Sequence, residues 1–172
     1  MNQARHRVSQ FFLYLGAELT REDEALAASI LPSGLLTLFH RQSVGEQKHS
    51  LKVTRWLAQR MPHEAELLQA ALLHDAGKSV APINLMERVE AVLVRWLLPG
   101  LYARWAGAPP RGWRKPFVTA VNHPVWGADL AAQAGASTRV VSLIRRHQEL
   151  TFKVVTEEDR LLALLQQAEK QP

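Results

Sequence analysis

Cysteine is absent from the 172 residues, so disulfides and thiolate zinc sites are excluded, and any bound metal must be held by histidine and carboxylate. The same absence fits a reducing compartment, and a cytoplasmic location is expected. Long apolar runs are missing too. The longest uncharged stretch, residues 25–40, contains Pro32 and Gly34 and is too short to cross a bilayer. The N-terminus, Met1-Asn-Gln-Ala-Arg-His-Arg7, lacks the pattern of a secretory leader. A strand alternation of useful length is also wanting, apart from the ambiguous residues 151–155. These absences leave a soluble, all-α chain as the expectation.

Hydrophobic residues make up 47%, which is globular composition, and the length suits one domain with a real core. Residues 1–42 are expected to form N-terminal helices packed on a main domain spanning 43–172, the whole being a single globular unit. Lysine and arginine outnumber aspartate and glutamate by 21 to 16, a net charge of +5 that favours nucleotides, nucleic acid or acidic lipid as partners.

Residues 8–19 predict a first helix with Phe11, Phe12 and Leu15 on one side. Thr20-Arg-Glu-Asp23 reads as a capping box opening a helix with Leu26, Ile30 and Leu31, which Pro32-Ser-Gly34 interrupts before a short apolar helix over 35–40. Ser43-Val-Gly-Glu46 is a second capping box. Its helix runs to about Arg60, with His49, Val53, Trp56 and Leu57 on one inward face. Asn84 opens a helix ending near Pro99-Gly100, with Leu85, Val89, Val92 and Trp96 as an apolar stripe. Residues 101–115 interleave Trp105 and Trp113 with Arg104, Arg111, Arg114 and Lys115. Such a region either touches a membrane surface or nucleic acid or, more commonly, is a core helix followed by a solvated loop. Residues 116–122 predict a short helix ahead of His123. Pro124 then begins an Ala- and Gly-rich helix ended by Gly135, Ser137 caps a helix reaching His147, and Thr156-Glu-Glu-Asp159 opens the last, with Glu169 near its end. His6, His40 and His63 have no predicted role.

The stretch richest in chemistry closes the helix buried on Leu67, Leu68, Ala71 and Leu72, which ends His74-Asp75-Ala76-Gly77-Lys78. Imidazole and carboxylate adjacent at a helix end can both reach one divalent ion. Gly77 lets the chain leave the helix, and Lys78 adds a cation where a phosphate would sit. Alone, so short a motif is weak. The histidines around it give it weight.

In order, the pieces are His49-Ser-Leu-Lys-Val-Thr, Ala71-Leu-Leu-His-Asp-Ala-Gly-Lys78, Asn122-His-Pro-Val-Trp-Gly-Ala128, Leu143-Ile-Arg-Arg-His-Gln148 and Leu164-Leu-Gln-Gln-Ala-Glu169. Together they resemble the HD superfamily of metal-dependent phosphohydrolases, from about Ser43 to Glu169. The resemblance implies a helical bundle with a divalent metal on His49, His74, Asp75 and a late carboxylate. Glu169 stands where the family usually has Asp. It further implies a second ion on His123 and His147, with Asp75 bridging both. Two ions about 3.5–4 Å apart can polarise a phosphoryl group and stabilise the leaving oxygen. Imidazole mixed with hard oxygen suits Mn²⁺ or Fe²⁺ best, with Mg²⁺, Ni²⁺ and Zn²⁺ also compatible. Asp75 and Lys78 would carry catalysis, while Lys78, Arg145 and Arg146 would hold the substrate phosphate. Gln148, where some binuclear members have a second His or a Glu, points to fewer ligands on the second ion or to a one-metal site.

Three functions follow as expectations. The favoured one is hydrolysis of a nucleotide or other small phosphoester, with dinucleoside polyphosphates and cyclic dinucleotides first by analogy. The second is a regulatory module that binds a nucleotide without turnover. The third is an interaction protein using the basic aromatic stretch. No obligate protein partner is indicated.

Overall fold

The computed structural model describes residues 18–149 and 153–171. The helix expected over 8–19 falls almost entirely outside them, as do two positions of the ambiguous 151–155 segment. Among the described residues nine α-helices and two 3-10 turns form, without a strand. They are α1 (Arg21–Ile30), α2 (Ser33–His40), α3 (Val44–Ala58), α4 (Ala65–Leu73), a 3-10 turn (Ala76–Val80), α5 (Leu85–Leu97) and α6 (Pro99–Ala106). A second 3-10 turn (Gly112–Arg114), α7 (Lys115–Gln133), α8 (Thr138–Arg146) and α9 (Glu157–Glu169) follow. The fold is all-α.

Local sequence decides where the helices start. Thr20, Ser43, Asn84 and Thr156 each accept a hydrogen bond from the backbone N–H three residues on, and the acidic residue there returns a bond to the cap. Each pair satisfies two otherwise orphaned donors and sets acidic charge at the positive end of the helix dipole. Ser137 caps α8 through the Val140 N–H.

The core forms around α4, which packs on α1, α2, α3, α8 and α9. Leu67, Leu68, Ala70, Ala71, Leu72 and Leu73 are all buried, so α4 lacks a solvated face over its last two turns. The N-terminal pair α1 and α2 contributes Ala27, Leu31, Leu35, Leu38 and Phe39 to that same core. A buried helix end can hold polar groups only if neighbouring elements complete them. At the end of α4 sit His74 and Asp75.

One expectation changes. The short helix over 116–122 and the separate helix from Pro124 are one continuous α7, with Pro124 inside it. Pro124 forfeits one backbone bond and crowds the preceding turn, which costs about 3 kcal/mol in a free helix. Here His123, Pro124, Gly127, Ala128 and Ala131 are buried against the first 3-10 turn and α8, and that packing outweighs the loss. The apolar stripe read on α5 left open which way that helix turns. It is held on α6 and α7 by its small side, with Ala91 and Val94 packing on Tyr102, Trp105 and Phe117. Its large apolar stripe faces outward.

Candidate metal centre

His74 is the C-cap of α4 in helical conformation, and Asp75 follows at φ −95°, ψ 1°, a bridge conformation frequent at active sites. That turn swings the carboxylate sideways into the core. Directly after it the 3-10 turn lies against α7, where Gly77 and Gly127 meet backbone to backbone. A Cβ on Gly77 would collide with the His123 carbonyl oxygen and come within 2.5 Å of the Gly127 nitrogen. Gly77 is therefore required for close approach rather than for leaving the helix, since its φ is not positive. This contact sets the distance between Asp75 and His123.

Four histidines and a carboxylate converge. Asp75 Oδ2 lies 3.5 Å from His74 Nε2 and 2.5 Å from Lys78 Nζ. Its other oxygen, Oδ1, lies 3.3 Å from His123 Nε2 and 4.0 Å from His147 Nε2. Ligand atoms of His49, His74 and Asp75 all lie within 4.8 Å of one another, and those of Asp75, His123 and His147 do the same. Asp75 belongs to both groups. His74, Asp75, His123 and His147 are buried, while His49 and Lys78 are partly open to solvent.

The ring orientations follow a rule that sequence reading missed. His74 Nδ1–H donates to the Ala71 carbonyl at 2.9 Å, His123 to Thr119 at 3.0 Å and His147 to Ile144 at 2.7 Å. A carbonyl can only accept, so in each ring Nδ1 carries the proton and Nε2 presents a lone pair to the centre. The signal was available, because each histidine sits three or four helical residues beyond its acceptor. Lone pairs then face one another, as His123 Nε2 and His147 Nε2 do at 3.3 Å, beside an anionic oxygen. That donor set is complementary to a cation, and the residues present fit a divalent ion.

Electrostatics agree. Burial and then neighbouring His74 push His49 down to about 4, and the same two causes push His147 down to about 3. Both rings are neutral, the form that binds metal. Burial alone would raise Asp75, but the Lys78 ammonium overcomes it and holds the carboxyl well below its ordinary range. A testable consequence concerns the chelated protein. The unfolded chain takes up protons on His49 and His147 near 6.5, whereas the folded chain resists until about 4 or below. Stability is thus retained above pH 6.5 and falls as the pH drops toward about 4. Thermal melts in chelator should show the midpoint descending through that window, and a flat midpoint would contradict it.

Glu169 ends α9 with its Oε1 buried and without a hydrogen-bond partner. Burial raises its pKa, His74 and Lys78 pull the other way, and Asp75 adds to the rise. Its oxygens join neither of the two His/Asp groups whose ligand atoms lie within 4.8 Å of one another. An orphaned buried oxygen here is a further feature that a cation would satisfy. Asp159, the other late carboxylate, instead joins its capping box and Arg146.

The two arginines are held by carboxylates. Arg145 is exposed and pairs with Asp129, while Arg146 binds Glu149, Glu158 and Asp159, bracing the α8–α9 junction beside His147. Gln148 sends its amide toward His123 Nε2 at 3.3 Å.

Fold and centre together define a helical protein built around a buried His/Asp metal-type site. The chain belongs to the HD domain family, whose model matches residues 47–169. That family is a superfamily of metal-dependent phosphohydrolases. No individual curated protein and no solved structure matches the chain.

Proposed function

We propose that this chain hydrolyses a phosphoester or phosphoanhydride bond in a nucleotide or other small phosphorylated molecule, with dinucleoside polyphosphates and cyclic dinucleotides as first candidates. The observation that carries this reading is the division of Asp75, with Oδ2 toward His74 and Oδ1 toward His123 and His147. In the proposal His49, His74, Asp75 and Glu169 hold one divalent ion, and Asp75, His123 and His147 hold a second, weaker one. Mn²⁺ or Fe²⁺ suits these ligands. Bound there, the metal supplies Lewis acidity toward a phosphoryl oxygen and lowers the pKa of water.

The protein's own contribution is positioning. The carbonyls of Ala71, Thr119 and Ile144 fix three rings so that their lone pairs stay aimed at the centre. Buried walls exclude bulk water from Asp75, His123 and His147, which strengthens every charge interaction inside. Substrate approaches from the side of His49 and Lys78, the partly open groups. Lys78 Nζ, now on Asp75 Oδ2, moves onto a phosphate oxygen, where its charge offsets that of the substrate.

Lys78→Ala is expected to keep its metal while losing about 100–1,000-fold in turnover, the effect of removing one preorganised contact to developing transition-state charge. Metal content by elemental analysis and phosphate release in the same preparation test this. Loss of metal together with activity would make Lys78 a structural partner of Asp75. A second reading, a nucleotide-binding module without turnover, draws on the Gln148 amide aimed at His123 Nε2, a lone pair the second ion would need. Tight nucleotide binding with full metal content and no hydrolysis would establish it.

A further inference from the structure

The helix α5 is amphipathic the wrong way round for a helix in a core. Met86, Val92, Trp96 and Leu97 are 73%, 63%, 77% and 60% exposed, with Val89 and Leu93 between them on the same outward stripe. Their spacing of three, four and seven residues puts them on one face. Monomeric soluble proteins seldom leave so continuous an apolar stripe in water, and such patches mark interaction sites.

Charge identifies what covers it. Between Glu90 and Asp129 there is no acidic residue, yet Arg95, Arg104, Arg111, Arg114 and Lys115 all fall there. Arg95, Arg104, Arg111 and Arg114 form no ion pair with a carboxylate among the described residues, and all four are exposed. Trp113, 54% exposed, stands beside Arg114. Large exposed aliphatic groups with Trp96 among them, followed in sequence by arginines without acidic partners and by the exposed Trp113, are what an interfacial segment presents to acyl chains and anionic headgroups.

We propose that α5 and the basic segment after it dock this protein on a bilayer surface that carries anionic lipid. A second copy fits poorly, because each chain carries +5 and the same arginines would face each other. Nucleic acid fits less well, because apart from Trp96 and Trp113 the exposed apolar face is aliphatic, and Met86, Val89, Val92, Leu93 and Leu97 offer bases nothing to stack on. Attachment is peripheral: among the described residues no helix is long and apolar enough to cross a membrane. The docked face is tied to the metal centre, since Arg88 on α5 binds Glu46 at 2.5 Å, one turn before His49. Asn122, next to His123, donates to the Ala106 carbonyl of α6.

Flotation with vesicles of phosphatidylcholine alone, or mixed with phosphatidylglycerol, tests this. The full chain should float with the anionic vesicles and remain behind with the neutral ones. Raising salt from about 0.1 M to about 1 M cuts the screening length from about 10 Å to about 3 Å, and bound protein should fall at least tenfold. Leu93→Ser with Trp96→Ser should reduce binding about tenfold or more, and Arg104→Glu with Arg111→Glu should do the same. All four side chains are exposed, so helical content and metal content should not change in either variant. Absence of anionic-vesicle binding, equal binding to neutral vesicles, or unchanged binding by the stripe variant would each overturn the proposal. A wild-type dimer that the stripe variant turns into a monomer would overturn it in favour of self-association.

Discussion

Replacing Asp75 by asparagine is expected to abolish metal binding and, with it, hydrolysis, while the fold survives. The substitution keeps the shape and removes the charge that both histidine groups share. Losing a mere outer partner of a metal ligand costs about 10–100-fold, so loss of a ligand common to two ions should exceed the upper end of that range. Lone pairs on His123 and His147 would then meet an amide donor instead of an anion, and for that reason the metal-free variant should melt as a cooperative unit. Elemental analysis and thermal melts of Asp75→Asn check both halves. His123→Ala with His147→Ala makes the informative contrast. That variant should drop from about two ions to about one and still lose turnover. If Asp75→Asn kept a full complement of metal, the carboxylate would not be the shared ligand.

Gly77→Ala is expected to be among the most damaging single substitutions in the chain, although it adds one methyl group. Its Cβ would strike the His123 carbonyl and crowd the Gly127 nitrogen, and both are backbone, which cannot rotate aside. Overpacking of this kind costs typically about 1–3 kcal/mol, and a clash with backbone belongs at the upper end. The 3-10 turn would have to move off α7, carrying Asp75 away from His123. Both stability and metal affinity should therefore fall, as chemical denaturation and metal titration would show. Gly127→Ala is the milder partner. Its Cβ meets the Gly77 nitrogen at 3.0 Å and an Ile144 methyl at 3.3 Å, and the Ile144 side chain can shift. Equal stability of Gly77→Ala and the parent would mean that the turn does not need this close approach.

How much of this was legible beforehand depended on whether the signal was local. Capping boxes at Thr20, Ser43 and Thr156 were readable because cap and N3 residue lie in one turn. So was the burial of α4, whose apolar residues recur at helical spacing. Pro124 misled, because the rule that proline breaks a helix is local, whereas the packing that keeps α7 continuous comes from the 3-10 turn and α8. The stripe on α5 was legible, but its direction was not. Periodicity says that one face is apolar but not that it faces the core, and Ala91 rather than Val92 turned out to be the buried side. At the centre, the order of the histidines was visible. Three ring orientations were legible in principle, since their acceptors lie three or four residues upstream on the same helix, and the resemblance already set Asp75 between the two groups. The real reason for Gly77 was not legible, since it depends on backbone from a distant segment. The carboxylates that hold Arg145 and Arg146 were not legible either, since Asp129, Glu158 and Asp159 come from neighbouring helices.

The measurement that bears most directly on the central claim is phosphate-ester hydrolysis by the chelated full chain as Mn²⁺ is added back, read on a generic chromogenic phosphodiester. The account predicts no release without metal, a rise that saturates as the Asp75 centre fills, and no rise in Asp75→Asn at any metal concentration. A parent protein that binds its metal fully and yet releases nothing from that substrate or from a panel of nucleotides would contradict it.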